Sequence, residues 1–231
     1  MSKWEVPRMW EGGECWIIGG GPSLPHQFGV SEDVIQKVRD EVIPMSVYSE
    51  YMEPLYNKHV IGTNIAYMLG NWVSVCYFCD LPFFRNNKYK LLDWHNLKVT
   101  DTGNMPVKEY YLHRNIKKLK RNNKYGLDPD PDCIRWNRNS GGGAIDLAVH
   151  FGCKRILLLG FDMRVDNDGQ THFHSGLPSY ANPTLERTFT RFLKAFPFIA
   201  DDAKKLGVEI LNVNSDSALE DFKKVRLEDV L

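Results

Sequence analysis

The stretch Cys15-Trp16-Ile17-Ile18-Gly19-Gly20-Gly21-Pro22-Ser23-Leu24 decides the fold. It runs apolar and then breaks into three glycines. That pattern predicts a buried parallel strand entering a tight turn, the usual opening of a nucleotide-binding α/β domain. Glycine lets backbone N–H groups approach a phosphate with no Cβ in the way. Pro22 stiffens the turn, and Ser23 can donate its hydroxyl to a ligand or cap the next element. The stretch is neither the G-x-G-x-x-G fingerprint nor a P-loop, since Pro22, Ser23 and Leu24 follow Gly21 and no Gly-Lys-Ser/Thr is present. A strand-to-loop turn without any ligand explains the same residues.

Working outward, strand-like and helical stretches alternate. Ser31-Glu32-Asp33 opens a helix over 32–40, with Val34, Ile35 and Val38 at helical spacing and acids in its first turn. Val60 to Asn64 reads as a second strand, Ala66 to Leu69 as a short helix, and Trp72 to Phe78 as a third apolar run ending at Asp80. Residues 41–59 show no clear pattern. A helix is expected around Lys88–Trp94 and a short strand at Leu97–Thr100. Ser140-Gly141-Gly142-Gly143 leads into a helix stopped by Gly152; Ile156–Leu159 is a strand ending at Gly160-Phe161-Asp162. An amphipathic helix over 184–206 is kinked or split at Pro197 and ended by Gly207. A last strand at Val208–Val213 precedes a short acidic helix near Ala218–Lys224.

This alternation predicts an α/β fold: a single, doubly wound, Rossmann-like and mostly parallel sheet with a lid-like loop region. The expected organisation is one nucleotide-binding domain over 1–231, with 101–138 and 163–183 as inserted loop or lid segments. Ligands of such sheets bind at the carboxyl ends of the strands. Gly19, Gly20, Gly21, Pro22, Ser23, Asn64, Asp80 and Asp162 then share one rim. Ser140, Gly141 and Gly142 add a helix N-terminus, a second phosphate-binding candidate. Close packing of that helix on the sheet would also demand small residues.

Asp162 closes a strand, is followed by Asp166 and Asp168, and is a catalytic candidate: it could hold Mg²⁺, orient a sugar, or cap backbone N–H groups. His172 and His174 lie in the loop after it, and either suits a general acid or base at neutral pH. If that segment is extended, the two rings point to opposite sides. No further His or Cys stands near them at zinc-ligand spacing, and no metal ligand is assigned. Cys76 and Cys79 have redox-motif spacing, but inside an apolar strand they read as buried thiols.

The formal net charge is zero, from 29 basic and 29 acidic residues, so no global field recruits nucleic acid or membrane. The run Arg114–Lys124 has six basic residues and no acid, and reads as a solvated helix face or a site for a polyanionic acceptor. Asp128-Pro129-Asp130-Pro131-Asp132 reads as an acidic, turn-rich linker. Lys3, Glu5 and Arg8 interrupt the N-terminus and no apolar run is long enough to span a bilayer. With five cysteines, an odd number, this points to a cytoplasmic protein with free thiols. Homo-oligomer formation is left open.

Gly20-Gly21-Pro22-Ser23-Leu24 after a strand resembles the "G-x-G-P-S-L" opening of bacterial sialyltransferases, motility accessory proteins and 6-hydroxymethylpterin diphosphokinase-like proteins. Asn64, Tyr67, Leu69 and Gly70, then Tyr77-Phe78 and Leu81-Pro82-Phe83-Phe84, are most similar to the sialyltransferases. Ser140-Gly141, Ala148, Gly152, Ile156 and Leu159-Gly160-Phe161-Asp162 are similar to all three groups. Gly169-Gln170-Thr171-His172 resembles the "G-x-T-H" of the other two. The resemblance covers 15–175 and implies a nucleotide held by Gly20–Ser23, Asn64 and Ser140–Gly142, with His172 or His174 as base. It implies a transferase with a nucleotide-activated donor, a CMP-sugar in the sialyltransferase-like reading. Two alternatives stay open: a pyrophosphoryl transferase using ATP and Mg²⁺, and a nucleotide-binding protein without turnover.

Overall fold

The computed structural model describes residues 4–103, 116–174 and 183–231. Ten strands are present among them: β1 (Glu14–Ile18), β2 (His59–Thr63), β3 (Val75–Phe78), β4 (Leu97–Thr100), β5 (Ile116–Lys118), β6 (Lys120–Asn122), β7 (Cys133–Arg135), β8 (Arg155–Leu159), β9 (Glu209–Asn212) and β10 (Lys223–Lys224). Eight form one parallel sheet in the order β10-β9-β8-β1-β2-β3-β4-β5, and β6 and β7 form a separate parallel pair. The helices are α1 (Ser23–Gln27), α2 (Glu32–Arg39), α3 (Leu81–Asp93), α4 (Ser140–His150), α5 (Pro183–Leu193) and α6 (Phe196–Leu206). The fold class is the expected one.

Both faces of the sheet are covered, which is why its central strands read as unbroken apolar runs. Cys15 and Ile17 of β1 pack with Ile156 and Leu158 under Ile145 and Ala148 of α4 and Ile199 and Ala203 of α6. Trp16 and Ile18 face the other way, with Leu157 and Leu159, against Ile35 and Val38 of α2 and Phe84 of α3. Strand β1 lies between β2 and β8, so the chain winds outward from it in both directions. That makes the carboxyl ends of β1 and β8 the topological switch point, the crevice where such sheets take ligands.

Several expectations change at element boundaries. Helix α3 begins at Leu81, seven residues earlier than expected, because Pro82 sits in its first turn, where an N–H has no intrahelical acceptor. The stretch 41–59 holds two 3₁₀ segments, Met45–Tyr51 and Glu53–Leu55. The helix expected over 184–206 is two helices, α5 and α6, with Pro197 in the first turn of α6 and Gly207 at φ +64 ending it. The described part of the basic run is β5 and β6 rather than a helix face; Arg114 and Asn115 lie outside the described residues. The acidic helix expected near 218–224 is absent: Leu219 and Phe222 are buried at helical spacing, but Lys223 and Lys224 pair with β9. Ser217 fixes that course, its hydroxyl accepting from Leu219 N–H and donating to Phe161 O. No helix among the described residues is long and apolar enough to cross a membrane.

Candidate functional site

The chain leaves β1 at Gly19 and immediately meets the chain leaving β8. Gly19 N–H donates to Leu159 O and Gly21 N–H to Gly160 O, each at 2.8 Å. A Cβ on Gly19 would lie 2.6 Å from Gly160 O, and one on Gly21 would overlap Asp162 Oδ2. Two of the three glycines are therefore required by the crossing of two protein loops. Two of the loop's amides are also spent inside the protein, and Pro22 offers none. Gly20 faces outward, toward the His172 ring.

Asp162 is buried and fastens this crossing. Its Oδ2 accepts the Ser23 hydroxyl at 3.0 Å and its Oδ1 accepts Asn214 Nδ2 at 3.1 Å. Burial pushes its carboxyl above the usual range, while the Ser23 and Asn214 hydrogen bonds pull the other way. Asn214 also donates to Ser23 Oγ at 3.2 Å. The sequence reading missed Asn214, although it follows β9 on the same rim, as Asn64 follows β2 and Asp162 follows β8.

A second group lies one strand over. Thr63 Oγ1 donates to Ile18 O at 3.0 Å and ties the end of β2 to β1. Asn64 comes next with a left-handed backbone, φ +51, a conformation rare for residues other than glycine. Its Oδ1 accepts the Ser140 hydroxyl at 3.4 Å, and Ser140 Oγ lies 3.1 Å from Cys79 Sγ. Asp80 is exposed beside Cys79, at the entry to α3. Cys76 and Cys79 are buried and burial raises both thiols, as expected for structural cysteines.

The glycines opening α4 serve packing first. Cβ atoms on Gly141 and Gly142 would approach Phe161 and Asn137 to 2.6 Å, and one on Gly143 would overlap the Tyr77 hydroxyl. Asn139 caps the helix, its Oδ1 accepting Gly142 N–H at 2.6 Å. The amides of Ser140 and Gly141, at the first two positions of the helix, have no intrahelical acceptor and carry the positive end of the dipole.

The histidine loop sits on the glycine loop, with Phe173 N–H donating to Gly20 O at 3.0 Å. Phe173 is buried, 6.3 Å from the Tyr48 ring. The rings of His172 and His174 lie side by side, with centroids 5.2 Å apart. They do not point to opposite sides, because the chain bends here and Phe173 takes the inward position. His172 Nδ1 lies 2.7 Å from Thr171 Oγ1. Burial, and then the neighbouring His174, push the His172 pKa down to about 4, so its ring is neutral at physiological pH. In the tautomer whose Nδ1–H donates to Thr171, Nε2 is free to accept a proton.

Arg121 and Asp101 form an ion pair the sequence reading did not anticipate. Arg121 Nε and Nη2 meet the buried Asp101 carboxylate at 3.0 and 3.2 Å, and the guanidinium lies 4.6 Å from the Trp136 ring centroid. One basic residue of the 114–124 run is thus structural, and a second, Lys120, pairs with Asp132 at 2.9 Å. Among the described residues, Asp130, Asp132 and Cys133 form the group close enough together to hold a cation. Both Asp132 oxygens are engaged, by Lys120 and by the Cys133 thiol. A cleft of about 460 Å³ along β9 and β10 is lined by Arg155, Glu209, Lys224 and Arg226. It reaches from Arg155 and Glu209 to Ser215, and its Arg155, Lys224 and Arg226 are already ion-paired.

No family model and no curated protein matches the chain. Among solved structures, it is similar to the sialyltransferase CstII from Campylobacter jejuni in complex with a substrate analogue, cytidine-5'-monophosphate. That likeness has a TM-score of 0.50 at 15% identity, over 92% of this chain and 84% of that one. The CstII complex with CMP-3FNeuAc gives a TM-score of 0.47 at 14% identity, with the same coverage. At this identity the likeness to the first of them establishes a shared fold.

Proposed function

We propose that the chain is a transferase acting on a nucleotide-activated donor, a sialyltransferase-like glycosyltransferase using a CMP-sugar. The carrying observation is the histidine loop docked on the glycine loop at the switch point, through Phe173 N–H and Gly20 O. The fold shared with a CMP-bound sialyltransferase supports the cytidine donor. In this reading the nucleotide lies across Gly20, Asn64 and the start of α4. The acceptor oxygen attacks the anomeric carbon, the bond from that carbon to the phosphate oxygen breaks, and CMP leaves. The Ser140 and Gly141 amides stabilise the charge on the departing phosphate. His172 or His174 takes the acceptor proton. In this reading Asp162, held by Ser23 and Asn214, keeps the two loops crossed beside the donor.

The test is CMP-sugar turnover for the wild type, His172→Ala and His174→Ala, with and without EDTA, alongside CMP affinity. One histidine variant loses roughly 100-fold or more in turnover and keeps its CMP affinity, and EDTA has no effect. Full activity in both variants together with complete inhibition by EDTA would sink the glycosyltransferase reading in favour of the metal-dependent one.

A further inference from the structure

The histidine loop is also held from its far side. Asp166 builds the turn that precedes the histidines. Its Oδ1 accepts the N–H groups of Asp168 and Gln170 at 3.0 and 2.6 Å, and its own N–H donates to Gln170 O at 2.9 Å. That leaves Oδ2, which faces Arg39 Nη2 at 3.6 Å. Arg39 is the last residue of α2, and its side chain is only 11% exposed. Its Nε and Nη2 are buried and have no hydrogen-bond partner among the described residues. A buried guanidinium so poorly hydrogen-bonded needs a carboxylate close by, and Asp166 supplies it. Beside this pair, Tyr48 Oη reaches Phe173 O at 3.4 Å. His172 lies two residues beyond Gln170, where the turn ends, and one before Phe173, which bonds Gly20.

We propose that Arg39 and Asp166 are positioning residues: their ion pair clamps the 166–170 turn to α2 and thereby sets His172 over Gly20. The catalytic consequence rests on the histidine-base reading above; the clamp itself does not.

The test tracks the His172 ring by NMR pH titration in the ligand-free protein, together with CMP-sugar turnover. The variants are Arg39→Gln, Arg39→Lys, Asp166→Asn and the double variant Arg39→Gln/Asp166→Asn. Asp166→Asn keeps an oxygen for the turn and changes only the charge, so it serves if Arg39→Gln fails to fold. Releasing the clamp lets His172 meet solvent, so its pKa rises from about 4 toward the ordinary 6.5. Arg39→Lys restores most of the wild-type titration, and the double variant shifts no further than either single one, as expected of an interacting pair. Turnover falls at least tenfold in the charge-removing variants. A purely structural role would lower the melting temperature and leave the His172 titration in place; an unchanged titration in folded Arg39→Gln and Asp166→Asn overturns the proposal. A shifted titration with unchanged turnover upholds the clamp and removes His172 from the chemistry.

Discussion

Asp162 is a catalytic candidate in the sequence, and in the structure its carboxylate is tied into the crossing of two loops. Ser23 and Asn214 both donate to it, and its Oδ2 occupies the space a Gly21 side chain would need. Asn214→Ala removes one donor and leaves Oδ1 of a buried carboxylate unpaired, at a cost of about 1–3 kcal/mol. The urea midpoint should fall accordingly with the slope unchanged; an unaltered midpoint would show that Asn214 contributes nothing to the clamp. His172 gives a prediction with a definite sign. Its folded pKa, about 4, lies below the ordinary 6.5, so the unfolded chain binds more protons between those values. Its contribution to stability is complete above pH 6.5 and is lost as the pH falls toward 4. Asp162, whose folded pKa is raised, works in the opposite sense by favouring the folded state as it protonates. The two separate by comparison: His172→Gln should flatten the wild-type decline in melting temperature between pH 6.5 and 4. Parallel curves for the two proteins would mean that the ring is already solvated.

Helix α4 shows how far a glycine run can be read. The sequence offered two explanations for Ser140–Gly143, a phosphate cradle and close packing on the sheet. The structure gives packing to Gly141, Gly142 and Gly143 and leaves the amides of Ser140 and Gly141 without an intrahelical acceptor. Within a helix, Gly→Ala normally gains about 0.5–1 kcal/mol. At Gly143 the new methyl would overlap the Tyr77 ring, and overpacking costs about 1–3 kcal/mol. The packing term is larger, so Gly143→Ala should lower the melting temperature, and a rise would show that α4 can shift off β3. Elements whose pattern comes from burial on both faces, such as β1, β8 and α4, were legible because their apolar runs and glycine stops reflect local chemistry. The edges were not. β5 and β10 are two or three residues long and rich in lysine, so their pairing comes from neighbouring strands rather than from their own composition. The residues of the candidate site were legible to the same degree. Asn64, Ser140, Ser23 and Asp162 were found because they end strands or open helices, and hydrogen bonds join them in two groups. Asn214, Asp101 and Arg121 escaped because their partners are distant in sequence. Arg39 pairs with Asp166, 127 positions away by number, and no local pattern announces it.

At the scale of the whole molecule, the sheet order decides where a ligand can sit. Strands β2 to β5 run out from one side of β1 and β8 to β10 from the other, so the loops after β1 and β8 part at the rim. The histidine loop and the start of α4 reach the same rim. The cleft along β9 and β10 is the competing location, and it carries more charge. Its arginines and Lys224 are already paired with Glu14, Glu209, Glu220 and Asp229, so a nucleotide phosphate would have to displace carboxylates to use them and would otherwise meet, among the described residues, Lys223 alone. At the rim the Ser140 and Gly141 amides need no such exchange. Hydrogen exchange with and without saturating CMP distinguishes the two places. Protection should rise in 18–24, 63–66, 139–142 and 160–174 and stay unchanged in 209–212 and 223–230. Protection confined to 209–212 and 223–230 would move the nucleotide to the cleft and leave the histidine loop without a role in binding or transfer.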